Sequence, residues 1–272
     1  MTRSSLSLLL VTLILPAASM AGSVLELVTR EYSQDPPVVG TVEISTQGNK
    51  SRLEITSVTS NESGGMIFKS DRKEMIAIDH EAKEYYVFDQ TSIDRIAAQV
   101  SAAMQQFEDA LEQMAPEERA LAEQMMPGRI GAEDAAPTEA ELEATGVHDT
   151  IAGYRCAYYD VVRDERRIRE ICVTGWDDIE EGQEVAAAMM ELGDFFESMR
   201  KAFAGTGGLD VMDRQQEMFA YMKKLGGYPV LARDFAEDGQ LESESLLQSA
   251  RRMDVAAELF EPPAGYREAP MQ

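Results

Sequence analysis

Between Val38 and Asp89 the chain alternates apolar and polar residues in short runs separated by turn formers, a pattern that reads as a folded-back antiparallel sheet. In the first run Val38, Val42 and Ile44 share one face, and Glu43 and Ser45 take the other. Gly48-Asn49 interrupts the pattern, and Leu53 and Ile55 resume it. A two-residue turn at Gly48-Asn49 sets Ile44 opposite Leu53 and Val42 opposite Ile55, so both strands bury the same face. Gly at the first turn position suits a type II′ turn, because it takes positive φ without a Cβ clash. Three more runs follow, Met66-Ile67-Phe68, Met75-Ile76-Ala77-Ile78 and Tyr85-Tyr86-Val87-Phe88, divided by Ser70-Asp71-Arg72 and Asp79-His80-Glu81. The expectation is a five-stranded meander with one apolar face.

The chain begins with an export-type leader. Arg3 supplies the positive start, Leu6 to Leu15 is an apolar run, and Pro16 ends it. A run of about ten residues is too short to span a bilayer. Ser19-Met20-Ala21 offers small residues for cleavage after Ala21, with an uncleaved anchor as the alternative. No Cys follows the run, which excludes a bacterial-type lipid anchor. No second long apolar stretch appears, so no membrane span is expected after cleavage. The periplasm is the expected compartment, and secretion is the alternative. The charge is 25 basic against 49 acidic side chains, net −24. That argues against nucleic acid and anionic membrane surfaces, which need positive footprints. The acidity reads as solubility.

Export also frames the two cysteines, Cys156 and Cys172. They lie on two predicted strands either side of Asp164-Glu165. An odd-length loop centred on Asp164 sets them directly opposite each other on one face, near disulfide range. An oxidising compartment favours the bond, and two buried free thiols are the alternative.

The rest of the chain alternates strands with helices. Val24–Tyr32 reads as a first strand. Thr91 or Ser92 caps a helix whose Ile93, Ile96, Val100, Met104, Phe107, Leu111 and Met114 form one stripe. Pro116 starts a short helix to Met126, and the Gly-, Ala-, Pro- and Glu-rich stretch 127–141 reads as a mobile loop. Strands return from Leu142 to Thr174. Two further helices carry Val185, Met189, Leu192, Phe196, Met199 and Phe203, then Met218, Tyr221, Met222 and Leu225. Gly205–Gly208 separates these helices. Strands at Tyr228–Asp234 and Gln240–Ser249 close the pattern. Residues 22–272 are therefore expected to form a single α+β domain. Its frame is an antiparallel incomplete barrel of about ten strands, covered by amphipathic helical insertions at about 91–126 and 182–225.

Catalytic motifs are missing. His80 and His148 both fall in turn or loop surroundings, which reads as solvent exposure rather than a metal site. Gly205-Thr206-Gly207-Gly208 follows a helix, not a strand, so it is a helix stop rather than a phosphate loop. Asp177, Asp178, Glu180 and Glu181 suit a helix start. The helical methionines, among them Met104, Met114, Met125, Met126, Met189, Met190, Met199, Met218 and Met222, fit core filling, an adaptable lipid lining or a soft Cu(I) set, in that order. No catalytic, metal or cofactor residue is assigned, and the chain is not expected to be an enzyme.

Several short blocks carry a resemblance. They are Gly40-Thr41-Val42 with Lys50-Ser51-Arg52-Leu53-Glu54, Asp79 with Lys83-Glu84-Tyr85-Tyr86, Ile151-Ala152-Gly153-Tyr154-Arg155-Cys156 with Tyr158 to Val161, Gly226-Gly227-Tyr228-Pro229-Val230, and Phe260-Glu261-Pro262-Pro263-Ala264-Gly265-Tyr266. Together they resemble the outer-membrane lipoprotein carrier (LolA/LolB-like) half-barrel superfamily, and more closely an allied family of exported bacterial proteins. The resemblance implies a half-barrel whose helices cover an apolar space that accepts acyl chains. The two long helical insertions and the acidity depart from the carriers, and no specific acyl-contact residue carries over. The apolar residues set toward that space are Val42, Ile44, Leu53, Ile55, Phe107, Met189, Phe196 and Met222. The expected role is a periplasmic binding protein for a lipid or an acylated protein. The alternative is a non-catalytic structural or interaction module with a filled core.

Overall fold

Strand β1 (Met20–Glu31) joins two halves of one sheet, pairing antiparallel with β2 (Val38–Gln47) on one side and β11 (Leu241–Val255) on the other. The computed structural model describes residues 20–58, 63–115, 140–202 and 210–270. The leader up to residue 19, the helix expected over 116–126, most of the loop expected over 127–141, Phe203 and Gly205–Gly208 lie outside the described residues. The expected cleavage position after Ala21 falls at the start of β1.

The remaining strands are β3 (Lys50–Ser57), β4 (Ser63–Lys69), β5 (Glu74–Asp79), β6 (Glu84–Phe88), β7 (Glu141–Ile151), β8 (Tyr154–Arg163), β9 (Arg166–Gly175), β10 (Gly227–Phe235) and β12 (Arg267–Glu268). All belong to one 12-stranded sheet in the order β12-β6-β5-β4-β3-β2-β1-β11-β10-β9-β8-β7. The margins β12 and β7 do not pair with each other, so the sheet is an open, incomplete barrel. The expectation of about ten strands is too low. β12 has two residues, too few to show alternation, and it pairs parallel to β6.

The β2–β3 hairpin has Ile44 opposite Leu53 and Val42 opposite Ile55, and Gly48 takes φ 57. The single apolar face is a correction, because β4 and β5 bury residues on both sides. Phe68 and Met75 join the main core with Ile44 and Leu25. Their neighbours Ile67 and Ile76 join a second cluster with Ile78, Val24, Val255 and Phe260. Side chains alternate sides along a strand, so the two clusters lie on opposite sides of this half of the sheet. The unbroken runs Met66-Ile67-Phe68 and Met75-Ile76-Ala77-Ile78 carry that signal, since a strand buried on both faces loses its polar alternation.

Three helices are described, α1 (Gln90–Glu112), α2 (Gly182–Ala202) and α3 (Asp210–Leu225). The cap of α1 is Asp89 rather than Thr91 or Ser92. Its carboxylate accepts from the Ser92 N–H at 2.7 Å, and Ser92 Oγ accepts from the Asp89 N–H at 2.9 Å. Helix α2 runs against β2 and α3, and buries Val185, Met189, Leu192, Phe195 and Met199. Gly193 allows the close approach of α3, since a Cβ there would meet the Phe219 ring at 3.1 Å. The main core gathers these helices with Leu25, Leu27, Ile44, Val230 and Leu247 of the sheet. A third cluster packs Tyr221 of α3 with Val161 and Ile171.

Cys156 and Cys172 are bonded, with Cα atoms 5.4 Å apart. Their register differs from direct opposition. The β8–β9 turn is the two-residue Asp164-Glu165, both at positive φ, and a bulge at Val161/Val162 shifts the ladder. Cys172 therefore faces Tyr158, and Cys156 is its diagonal neighbour on the same face.

Candidate functional site

Three regions hold the features able to engage a partner or ligand: the space between sheet and helices, the polar cluster under the C-terminal segment, and the groove beside β7.

The space between sheet and helices is occupied by side chains. Ile44, Met189 and Met222 are buried members of the main core, and Val42, Leu53 and Phe196 pack against it. Phe196 stacks on Phe219 with centroids 6.0 Å apart, and Phe195 meets Phe68 at 5.2 Å. The structure thus brings together six of the eight apolar residues singled out from sequence. Ile55 is 49% exposed, and Phe107 is half-buried along α1. Of the apolar stripe of α1, Ile93 and Leu111 are buried, while Ile96, Val100 and Met104 are half-covered.

On the other side of the sheet the C-terminal segment is pinned by polar contacts. His80 is partly buried and not a solvated loop residue, a correction to its sequence reading. In its neutral form Nε2–H donates to Glu54 Oε2 at 2.8 Å and Nδ1 accepts from the Tyr266 hydroxyl at 2.9 Å. Arg52 pairs with Glu54 and donates to the Leu259 carbonyl at 2.7 Å. Buried Lys69 pairs with Glu261 at 2.7 Å. Both ring nitrogens of His80 are engaged, so the imidazole offers no lone pair to a metal or substrate. The arrangement holds the tail over Ile67, Ile76 and Ile78. Sequence reading placed no tail on the sheet, although Arg52 and Glu54 share the polar face of β3 and could have prompted a search for their partners.

The third region is a groove of about 620 Å³ at the β7 margin, lined by His148, Asp149, Thr150, Arg155, Cys156, Ala157, Val173 and Asp178. His148 is exposed. A second depression of about 430 Å³ lies where Phe68 and Phe195 meet Ser70, Asp71, Lys73, Gln90, Glu191, Asp194 and Ser198. Both open to solvent and both have mixed linings. Among the described residues no three His, Cys, Asp or Glu are grouped to hold a metal ion. No described helix is long and apolar enough to cross a membrane.

No protein-family model and no curated protein matches the chain. Among solved structures it is similar to an uncharacterized conserved protein from Thermus thermophilus, at TM-score 0.44 and 7% identity over 93% of this chain and 91% of that one. It is also similar to the MucA/MucB complex of Pseudomonas aeruginosa, at TM-score 0.37 and 9% identity over 91% of this chain and 58% of that one. MucB in complex with MucA(peri) gives TM-score 0.38 and 8% identity over 94% and 59%. The chain thus spans less than two thirds of those MucB-complex chains. Likenesses of this strength assign neither a family nor a function.

Proposed function

We propose that the chain is a non-catalytic interaction module of the cell envelope, exported and built on a filled half-barrel. The observation that carries this reading is the main core. Helix side chains Met189, Phe195, Met199 and Met222 meet sheet side chains Leu25, Leu27, Ile44 and Phe68 in one cluster. The two open depressions have mixed rather than apolar linings, and a lipid site is concave and mostly apolar. Helices fused to a sheet by such packing present their outer surfaces, not an interior, to a partner.

A second reading, a carrier for a lipid or an acylated protein in the periplasm, draws support from a different place. The half-covered stripe Ile96, Val100, Met104 and Phe107 of α1, together with exposed Ile55, leaves apolar surface outside the core. Titration with an environment-sensitive apolar dye separates the two. The filled module leaves the dye as dim as in buffer. Saturable enhancement, competed by a fatty acid, would overturn the first reading in favour of the second.

A further inference from the structure

We propose that the outer edge of β7 is a strand-addition site for an extended peptide carrying Lys or Arg at alternate positions; this rests on the interaction role above and names its surface and partner chemistry. β7 ends the sheet, and among the described residues no strand pairs with its outer side. Its residues from Glu143 to Thr150 are all exposed. An unpaired edge presents a row of N–H and C=O groups to an incoming strand.

The register identifies which groups are available. β7 and β8 are joined by Ala152-Gly153, both at positive φ, a two-residue turn that closes on the hydrogen-bonded pair Ile151–Tyr154. Antiparallel ladders alternate, so Asp149–Cys156 is the next bonded pair, and His148 and Thr150 turn their amides outward. The Thr150 N–H agrees, since it donates to Asp149 Oδ1 at 2.7 Å. A peptide carbonyl would take over that N–H and free the Asp149 carboxylate for a cation.

Charge selects the occupant. Glu141, Glu143 and Asp149 are exposed on β7, Asp178 lines the adjoining groove, and the whole chain carries −24. Arg155 is the opposing cation in that lining. A peptide added to β7 runs beside the groove, where an alternate side chain can drop in; basic ones meet Asp149 and Asp178. A second copy of β7 pairing antiparallel about its centre would run across the bulge between Ala144 and His148 in both copies, which interrupts the ladder.

The test is fluorescence anisotropy with the full chain and a labelled heptapeptide alternating Val and Lys. Controls are the same peptide with Pro at its centre and a Val/Glu peptide. The variant is Thr150→Pro, which deletes one outward N–H and leaves the β8 ladder intact. The expected result is saturable binding of the Val/Lys peptide, weakened at least about tenfold by Thr150→Pro at unchanged melting temperature, and weakened likewise in both control peptides. Equal binding to Thr150→Pro, or to the Pro-centred peptide, would overturn strand addition. Equal binding of Val/Glu would overturn the charge preference. Absence of saturable binding overturns the β7 site alone and leaves the interaction reading standing, whereas dye uptake into the core would overturn that reading and with it the role on which this site rests.

Discussion

The Tyr266 hydroxyl and His80 Nδ1 share a hydrogen bond of 2.9 Å, tying the C-terminal segment to the β5–β6 turn. The same segment inserts fully buried Phe260 against Ile67 and Ile76 on the side of the sheet away from the helices. Phe260→Ala is therefore expected to cost about 3–5 kcal/mol in denaturant unfolding. Tyr266→Phe, which keeps the ring and removes the donor, is expected to cost only about 1 kcal/mol. Equal small effects would mean that the tail adds no core of its own.

The Cys156–Cys172 bond joins β8 to β9 across a separation of 16 residues. A loop of that size is worth about 3 kcal/mol by the chain-entropy account. Reduction, or the paired change Cys156→Ala with Cys172→Ala, is expected to lower unfolding stability by about that amount. Two thiols titratable in the unreduced native protein would contradict the bond itself.

Acid should loosen the start of α1. The Ser92 N–H and hydroxyl, bonded to the Asp89 carboxylate, hold its pKa below the usual carboxylate range. A carboxyl depressed in the folded state contributes stability that is complete above its unfolded pKa near about 3.9, and that is lost as pH falls through the lower folded value. Asp89→Asn keeps an acceptor and does not titrate. The stability gap between wild type and Asp89→Asn is expected to narrow as pH falls below about 4. At neutral pH Asp89→Ala is expected to cost about 0.5–2 kcal/mol. A gap independent of pH would contradict the carboxylate's role.

Local order was legible in sequence to the extent that local forces set it. Alternation around Gly48 placed Ile44 against Leu53, because a side-chain period of two leaves no half-step in register. Helical spacing found the stripes of α1 and α2. What it missed depends on residues far apart. Nothing near Leu27 announces its pairing with Leu247, and β1–β11 contacts decide that two meanders form one sheet. A two-residue turn followed by one bulge sets Cys156 diagonal to Cys172 rather than opposite it. Phe195 and Phe196 are adjacent in a broad apolar stripe, and only the position of α3 decides that Phe196 stacks on Phe219. The apolar residues of the candidate interior could be found from sequence. Their mutual contact, which fills the space they enclose, could not.

Opening that core should create what wild type lacks. Phe195 is buried against Phe68 and Phe196. Phe195→Ala is expected to cost about 3–5 kcal/mol, a cost that rises with the cavity left behind. The same variant is expected to enhance an apolar dye that wild type leaves dark. Equal enhancement in both proteins would show that apolar binding space does not depend on this side chain.

The central claim is that the half-barrel is filled by its own side chains. Native mass spectrometry of the protein purified without detergent from an exporting host tests it most directly. The account expects the mass of the polypeptide alone, unchanged after incubation with excess phospholipid. A stable added mass that organic extraction identifies as lipid, present in wild type and retained through buffer exchange, would contradict it.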